Sequence, residues 1–131
     1  MELDIIKIAS DTTNVKDLKI FTHKSKMKNS MCGDIIAFKL NIKNGFIKDV
    51  GYKFKSCIYC QASASLLSKY LINKDLRKIK IFLNSLTKYY ENDNYILKGK
   101  LVKVFNKRNF KRKDCIYLPV KTITHALNVK I

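Results

Sequence analysis

The stretch Asp34–Lys55, DIIAFKLNIKNGFIKDVGYKFK, decides the fold of this chain. Its first half alternates apolar residues with mostly smaller or polar ones, which is the period of a half-buried strand. The apolar set is Ile36, Phe38, Leu40 and Ile42. Asn44 and Gly45 follow, and both adopt positive φ at low cost, which favours a tight hairpin turn. The return segment places Val50, Tyr52 and Phe54 on one side and Asp49, Lys53 and Lys55 on the other. The stretch therefore predicts an antiparallel β-hairpin.

Helical periods replace the strand period after Cys57. The segment QASASLLSKYLI favours a helix, and its small residues let the helix start lie close to the end of the hairpin. A second helix is expected to be capped by Asn73. Its apolar stripe consists of Leu76, Ile79, Leu83, Leu86 and Tyr90.

The C-terminal part of the chain has a mixed pattern. The segment YILKGKLVKVF is compatible with either a helix or a strand. From Ile116 onward the sequence predicts a helix, in which Pro119 is tolerated in the first turn. The residues expected to face the core are Ile123, Ala126 and Leu127.

The N-terminal segment completes the fold prediction. Met1–Ser10 is expected to form a short helix, whereas Asp11–Ser30 is polar, lysine-rich and expected to be irregular. A hairpin followed by helices predicts an α+β fold, with a small antiparallel sheet and helices packed on one of its faces. At 131 residues, the chain is expected to form a single domain over residues 1–131.

Composition and cysteine content indicate a cellular location. Hydrophobic residues make up 47% of the chain, which argues against disorder. The N-terminus does not resemble a signal peptide, and no segment approaches the roughly 20 apolar residues of a membrane span. We therefore expect a cytoplasmic protein with no membrane partner. In that compartment thiols stay reduced, so four cysteines indicate metal binding or catalysis rather than disulfides.

The charge of the chain has two interpretations. There are 27 Lys and Arg against 10 Asp and Glu, a net charge of +17, which is typical of nucleic-acid binding. However, the basic residues are mostly lysines spread through the chain among many Ile and Asn, a bias that an AT-rich coding sequence also produces. Only NKRNFKRK (106–113) is a dense basic run with an aromatic residue inside it. The charge therefore favours docking of an acidic protein over nucleic acid, and a basic nucleic-acid-binding protein with a structural metal stays as an alternative.

The cysteines lie where a hairpin would gather them. Cys32 precedes the first strand and Cys57 follows the second, so both are expected at the open end of the hairpin. Asp34 is two residues from Cys32, and its side chain can point to the same side. A tetrahedral metal needs a fourth ligand, and the natural candidate is Cys115, at the entrance to the last helix.

Cys60 has several interpretations. It can be a small buried core residue, a spare metal ligand, a persulfide relay, or the second cysteine of a redox pair with Cys57 at a helix start, where thiolates are favoured. A thioredoxin-like redox protein would need an alternating βαβ pattern, which is missing. His23 and His125 are expected to be structural or exposed. The sequence shows no Ser-His-Asp arrangement, paired-carboxylate site or glycine-rich phosphate loop.

Together these segments resemble a known family. The MCGD before a strand, the Asn-Gly hairpin, SCIYCQASAS and a distant cysteine after a basic stretch are similar to the IscU/NifU/SufU family of iron–sulfur cluster scaffolds. The resemblance runs from about Met31 to Leu71 and resumes around Cys115. It implies a SufE/NifU-like α+β fold and a ligand set of Cys32, Asp34, Cys57 and Cys115, with Cys60 as a possible auxiliary ligand.

The resemblance also implies a function and partners. A cysteine desulfurase would deliver sulfur, and a transient [2Fe–2S] cluster would be built and passed to apo iron–sulfur proteins, without enzymatic turnover by the scaffold itself. Thiolates hold such clusters, and a single carboxylate is a harder, poorer ligand that keeps the cluster labile. SufU-type relatives use the same ligand set as zinc-dependent sulfurtransferases, in which Cys115 would be the persulfide acceptor.

Some features of the family are missing. FTHKSKMKNS stands where the family has Asn-Pro-Arg-Asn, and Asp114 replaces the histidine that many scaffolds carry before the last cysteine. The Leu-Pro-Pro-Val-Lys chaperone motif does not precede Cys115; LPVK (118–121) follows it instead. The resemblance therefore does not extend to a dedicated release chaperone.

Overall fold

The computed structural model describes residues 2–88 and 99–128. The elements of that part of the chain, in order, are α1 (Glu2–Ala9), β1 (His23–Lys28), β2 (Ile35–Lys43), β3 (Phe46–Lys55), α2 (Ile58–Leu71), α3 (Leu76–Thr87), α4 (Leu101–Val104), a 3-10 helix (Lys107–Arg112) and α5 (Lys113–Asn128).

The three strands form an antiparallel sheet in the order β1-β2-β3. β2 and β3 are the predicted hairpin, with Asn44 (φ 56°) and Gly45 (φ 79°) in the left-handed conformation that the tight turn requires. At the open end of the hairpin, Ile35 lies opposite Lys55. A bulge near the turn shifts the register by one residue.

Helices α2 and α5 pack on one face of this sheet, and the core lies between the two layers. Phe38 of β2 and Tyr52 of β3 point into that core, where their rings stack with centroids 5.3 Å apart. Helix α1 packs on α2, and α3 packs on α5. The predicted α+β class, with helices on one face of a small antiparallel sheet, is confirmed.

Strand β1 corrects the expectation that Asp11–Ser30 is irregular. β1 pairs with β2 over its whole length. Its sequence, HKSKMK, hides the strand because the inward positions carry few apolar side chains. Ser25 is buried on the inner face, where its hydroxyl is 3.0 Å from Nδ1 of His125 in α5. Polar hydrogen bonding therefore replaces the apolar alternation that marks the other two strands.

Two helix starts also differ from the prediction. The expectation that Asn73 is a cap is wrong: Asp75 caps α3, and its carboxylate accepts a hydrogen bond from the Arg77 amide at 2.8 Å. Asn73 instead adopts a left-handed φ of 67° in the turn before it. α5 begins three residues earlier than predicted, so Pro119 lies inside the helix rather than in its first turn.

Other expectations concern the helices and the chain segments beyond them. The three C-terminal residues expected in the core, Ile123, Ala126 and Leu127, are buried. The end of YILKGKLVKVF is helical in α4, whereas its residues 95–98, together with Tyr90 and Met1, lie outside the described residues. Among residues 2–88 and 99–128, no helix has both the length and the apolar character needed to cross a bilayer.

Candidate metal centre

The open end of the β2–β3 hairpin carries three of the four predicted ligands. Since Ile35 and Lys55 form the last pair, Asp34 and Cys57 lie just beyond the sheet on adjacent strands. The backbone amide of Cys57 donates a hydrogen bond to Oδ1 of Asp34 at 3.1 Å. Cys32 lies in the turn that leads from β1 into β2. The hairpin therefore brings the Asp34 carboxylate to the Cys57 backbone, whereas the sulfur of Cys57 is not part of the compact group of ligand atoms.

A tight turn presents Cys32 at the surface. The Gly33 amide donates to the Asn29 carbonyl at 2.7 Å, and the Asn29 amide donates to the Asp34 carbonyl at 2.8 Å. Gly33 has a φ of +79°, a conformation that a residue with a Cβ rarely adopts. Met31 beside it is 88% exposed. The turn leaves the Cys32 thiol exposed, whereas the other ligand candidates are at least partly covered.

Helix α5 brings Cys115 to this group across 83 residues of sequence. Its sulfur lies 3.8 Å from the sulfur of Cys32. Single ligand atoms of Cys32, Asp34 and Cys115 all lie within 4.8 Å of one another. Two thiolates bound to one tetrahedral ion at about 2.3 Å would be separated by about 3.8 Å. The spacing of the two sulfurs therefore suits a shared metal ion.

The Asp34 carboxylate supplies an independent sign of a missing ligand. Asp34 is only 6% exposed, and its Oδ1 is satisfied by the Cys57 amide. Its Oδ2 is buried with no hydrogen-bond partner. Burying a carboxylate oxygen without a partner is costly, and such atoms are rare in folded proteins. Bound iron or zinc would satisfy this oxygen, so the donor set fits a metal.

Cys57 stands beside the compact group rather than within it. Its sulfur does not belong to the set of atoms that lie within 4.8 Å of one another. It is nevertheless close enough to Cys115 for the two thiols to interact by hydrogen bonding. Burial raises the pKa of the Cys115 thiol, and its contacts with Cys57 and then Cys32 raise that pKa further. Burial and the neighbouring thiols therefore favour the protonated form of the free Cys115 thiol, and a metal that binds this sulfur displaces the proton.

Cys60 is buried in the core and has no exposed surface. Burial raises the pKa of its thiol to about 12. Reactive thiols are instead accessible and have lowered pKa values. Cys60 also lies outside the group of three clustered ligands. Its surroundings are those of a small apolar core residue.

The histidines and Asp114 occupy other positions. Nδ1 of His23 is 2.7 Å from the Thr22 hydroxyl, and His125 is paired with Ser25. Neither histidine belongs to the ligand group found among the described residues. Asp114, which precedes Cys115, is exposed and also lies outside that group.

Comparison with known proteins places the chain in a family. Residues 4–92 match the NifU-like N-terminal domain. The chain belongs to this family. The matched segment includes Cys32, Asp34 and Cys57 but ends before Cys115, whose place in the site comes from the packing of α5.

Relatives of this NifU-like chain are found in sequence and in structure. It is 32% identical over 104 residues to the iron–sulfur cluster assembly scaffold protein IscU of Thermotoga maritima, covering 76% of this chain and 72% of that protein. An uncharacterized protein of Borreliella burgdorferi is also 32% identical, over 114 residues that cover 84% of this chain and 78% of the other.

Two crystal structures share the fold. The N-terminal part of a nitrogen-fixing NifU-like protein from Brucella abortus superposes with a TM-score of 0.84 at 17% identity, covering 95% of this chain and 90% of that one. A candidate iron–sulfur cluster assembly scaffold of the SUF system from Fervidobacterium islandicum gives a TM-score of 0.80 at 20% identity, covering 95% and 93%.

Ser63 supports the site in this NifU-like domain and is not predicted from the sequence, and Pro119, predicted only as a tolerated first-turn residue, also affects it. Ser63 of α2 is fully buried, and its hydroxyl donates a hydrogen bond to the Ile116 carbonyl at 2.7 Å. Pro119 has no amide hydrogen, so it cannot donate the usual helical hydrogen bond to the Cys115 carbonyl. The α2–α5 hydrogen bond therefore anchors the first turn of α5 where its own ladder is interrupted. The small-residue run ASAS was the available signal, because a small polar side chain allows this close helix contact.

Proposed function

We propose that the protein is a scaffold that assembles and donates iron–sulfur clusters. Cys32, Asp34, Cys57 and Cys115 are the proposed ligands of a transient [2Fe–2S] cluster. A cysteine desulfurase supplies the sulfur, and apo iron–sulfur proteins in the cytoplasm receive the cluster. Membership of the NifU-like family and the name of the Thermotoga maritima relative support this function.

The buried, unpartnered Oδ2 of Asp34 beside two thiols is the observation that carries the proposal. Thiolates bind iron and retain a cluster, while a carboxylate is a harder ligand that iron–sulfur clusters bind less firmly. A site that mixes the two suits a cluster that must be held and then released. The Cys57 amide satisfies Oδ1, which leaves Oδ2 available to a metal ion.

The protein itself positions the ligand side chains and limits the access of solvent to them. Cys32, on the exposed turn, is the ligand that a sulfur donor can reach from solvent. Cys115 and Asp34 are buried behind it, where water competes less with the metal. The hydrogen bond from Ser63 holds the start of α5 and so keeps Cys115 facing the hairpin. The cluster is the cargo of this site.

A zinc-dependent sulfurtransferase is the second candidate. The sulfur separation of 3.8 Å between Cys32 and Cys115 suits a single tetrahedral zinc ion as well as iron. In this alternative, the residues that would hold the zinc are Cys32, Asp34, Cys57 and Cys115. The Cys115 thiolate would attack the outer sulfur of the desulfurase's cysteine persulfide, forming a Cys115 persulfide as the desulfurase S–S bond breaks and its cysteine thiolate leaves. Protein that purifies with one zinc per chain and strongly stimulates desulfurase turnover would favour this alternative. Protein that lacks zinc and leaves desulfurase turnover unchanged would eliminate it.

Replacing Asp34 with alanine should slow release of the cluster, because the replacement removes the most exchangeable ligand. We expect transfer to an apo ferredoxin-type acceptor to slow by about tenfold or more, the scale on which changes around a metal alter its binding. The decay of visible absorption on the scaffold measures the rate. Asp114→Ala is the matched control, since Asp114 is an exposed aspartate next to Cys115 and outside the ligand group. Unchanged or faster transfer from Asp34→Ala would remove Asp34 from the proposed role.

A further inference from the structure

The outer face of the sheet, opposite the helices, carries lysines in register. Across β1, β2 and β3 the rows read Lys28, Ile35 and Lys55; Lys26, Ala37 and Lys53; and Lys24, Lys39 and Gly51. We call the six lysines the lysine face: Lys24, Lys26, Lys28, Lys39, Lys53 and Lys55. Five of them are exposed, and Lys39 is half-buried.

The lysine face has the shape of a shallow trough. In two of the three rows, the lysines stand on the outer strands and a smaller apolar residue, Ile35 or Ala37, occupies the middle. Neighbouring strands are about 4.8 Å apart, so the two lysine columns are about 10 Å apart. Within a column, alternate residues are separated by about 7 Å. An α-helix with its side chains is about 10–12 Å wide, which matches the width of this trough.

The acidic groups near the lysine face lie at one end of it. Asp17 accepts from Lys39 at 2.6 Å and also interacts electrostatically with Lys53. Asp49 pairs with Lys16 at 3.1 Å. In the described part of the chain, Lys26, Lys28, Lys53 and Lys55 form no ion pair, and Lys53 alone of these four is influenced by Asp17. The row of Lys28, Ile35 and Lys55, nearest to the ligand group, carries positive charge alone.

Uniform charge on this face works against stability. Lys24 and Lys39 lie directly opposite each other on neighbouring strands, and like charges in that position are destabilising. The Phe21 ring partly offsets this repulsion, with the two ammonium groups 5.9 and 4.6 Å from its centroid. The charged residues near Lys26 within the rows are all lysines, and no aromatic ring among the described residues offsets the repulsion between them and Lys26.

Protection of sheet edges explains only part of this pattern. Charged side chains on edge strands prevent pairing with another sheet, and charge of either sign serves that purpose. Alternating signs would protect the edges and also remove the repulsion. Within the described residues, the lysines of the two rows nearest the ligand group form no ion pair, and their shared sign suits an acidic ligand.

We propose that the lysine face binds an acidic helix of a partner protein. The rows contain no arginine, and the Phe21 ring beside them is already covered by the Lys24 and Lys39 ammonium groups, so the rows offer no stacking platform for single-stranded nucleic acid and a protein ligand is favoured. The row of Lys28, Ile35 and Lys55 precedes Asp34 and Cys57 at the open end of the hairpin, so a partner bound along the face would extend toward the end of the sheet that carries the ligand group. The inference stands on the lysine face itself and does not require the cluster function.

The test uses a helical peptide of about 20 residues with glutamates along both flanks, long enough to hold a helix. Its affinity for the full chain is measured by fluorescence anisotropy at low salt and at about 0.15 M salt. Lys26→Glu/Lys53→Glu should weaken binding by about tenfold or more, because attraction becomes repulsion at both columns. Lys78→Glu/Lys80→Glu on α3 has the same net charge and should bind as the unaltered chain does.

Other outcomes would overturn the proposal. Equal weakening in both double variants would show a general charge effect, and a chain that does not bind the peptide would also contradict the proposal. Tighter binding of a single-stranded oligonucleotide of equal charge, lost in the same sheet variant, would identify nucleic acid as the ligand.

The stability argument is tested separately by thermal unfolding. Lys26→Glu should raise the melting temperature by about 1–3 °C, since it removes like-charge repulsion. A lower melting temperature would remove the stability argument.

Discussion

Cys115→Ala is expected to abolish assembly of a stable cluster. Cys115 supplies the buried sulfur that lies 3.8 Å from Cys32, and α5 carries no other donor in the ligand group. Loss of a direct thiolate ligand should exceed the roughly 10–100-fold effects of changes in the surroundings of a metal. Visible absorption after anaerobic assembly, normalised to protein, measures the result. Alanine suits a helix, so the variant should keep its fold and its circular dichroism spectrum.

Cys60→Ala is the matched control for that variant. Both changes remove one buried thiol, but Cys60 lies in the core and outside the ligand group. We expect Cys60→Ala to assemble the cluster to the same extent as the unaltered chain. Equal loss in the two variants would show that Cys60 is also a ligand or relay. Full assembly by Cys115→Ala would contradict the assignment of Cys115 itself.

Phe38→Ala is expected to cause the largest loss of stability. Phe38 is 1% exposed in the centre of β2 and stacks on Tyr52 between the sheet and the helices. Truncating a buried phenylalanine removes its transfer free energy and leaves a cavity, a loss of about 3–5 kcal/mol in the free energy of unfolding. Urea unfolding of the metal-free protein measures this change. The loss would approach the whole stability of a marginal domain, which is about 5–15 kcal/mol.

Phe46→Ala provides the comparison within the same hairpin. Phe46 starts β3 and is 42% exposed, and the Lys48 ammonium lies 5.7 Å from its ring centroid. The same chemical change there should cost about 1 kcal/mol or less, because little apolar surface is lost from the core. Similar losses at the two positions would contradict the placement of the core between the sheet and the α2–α5 layer.

The parts of the fold that could be predicted are those in which local pattern and burial agree. The β2–β3 hairpin has strict alternation and a turn pair that accepts positive φ, so its elements follow from the sequence. β1 could not be found in this way, because its inner face relies on the Ser25–His125 hydrogen bond instead of apolar side chains. The start of α5 was misplaced because Pro119, which usually marks a first turn, is accommodated inside the helix.

The same distinction between local geometry and tertiary packing applies to the candidate site. The contact between Asp34 and the Cys57 backbone follows from the local geometry of one hairpin and could be predicted, whereas the exclusion of the Cys57 sulfur from the compact group could not. The position of Cys115 depends on how α5 packs against α2 and the sheet, and only the family resemblance indicated it. The unpartnered Oδ2 of Asp34 could not be foreseen, because burial and hydrogen bonding at that atom are set by tertiary structure.

Anaerobic assembly on the purified protein tests the central proposal most directly. The chain is incubated with a cysteine desulfurase, cysteine and ferrous iron, and the visible spectrum is recorded while bound iron, sulfide and zinc are assayed. We predict sulfide-to-iron charge-transfer bands with about two iron and two sulfide per cluster, lost in Cys32→Ala and Cys57→Ala. A colourless protein that retains one tightly bound zinc per chain would contradict the scaffold function and support the sulfurtransferase.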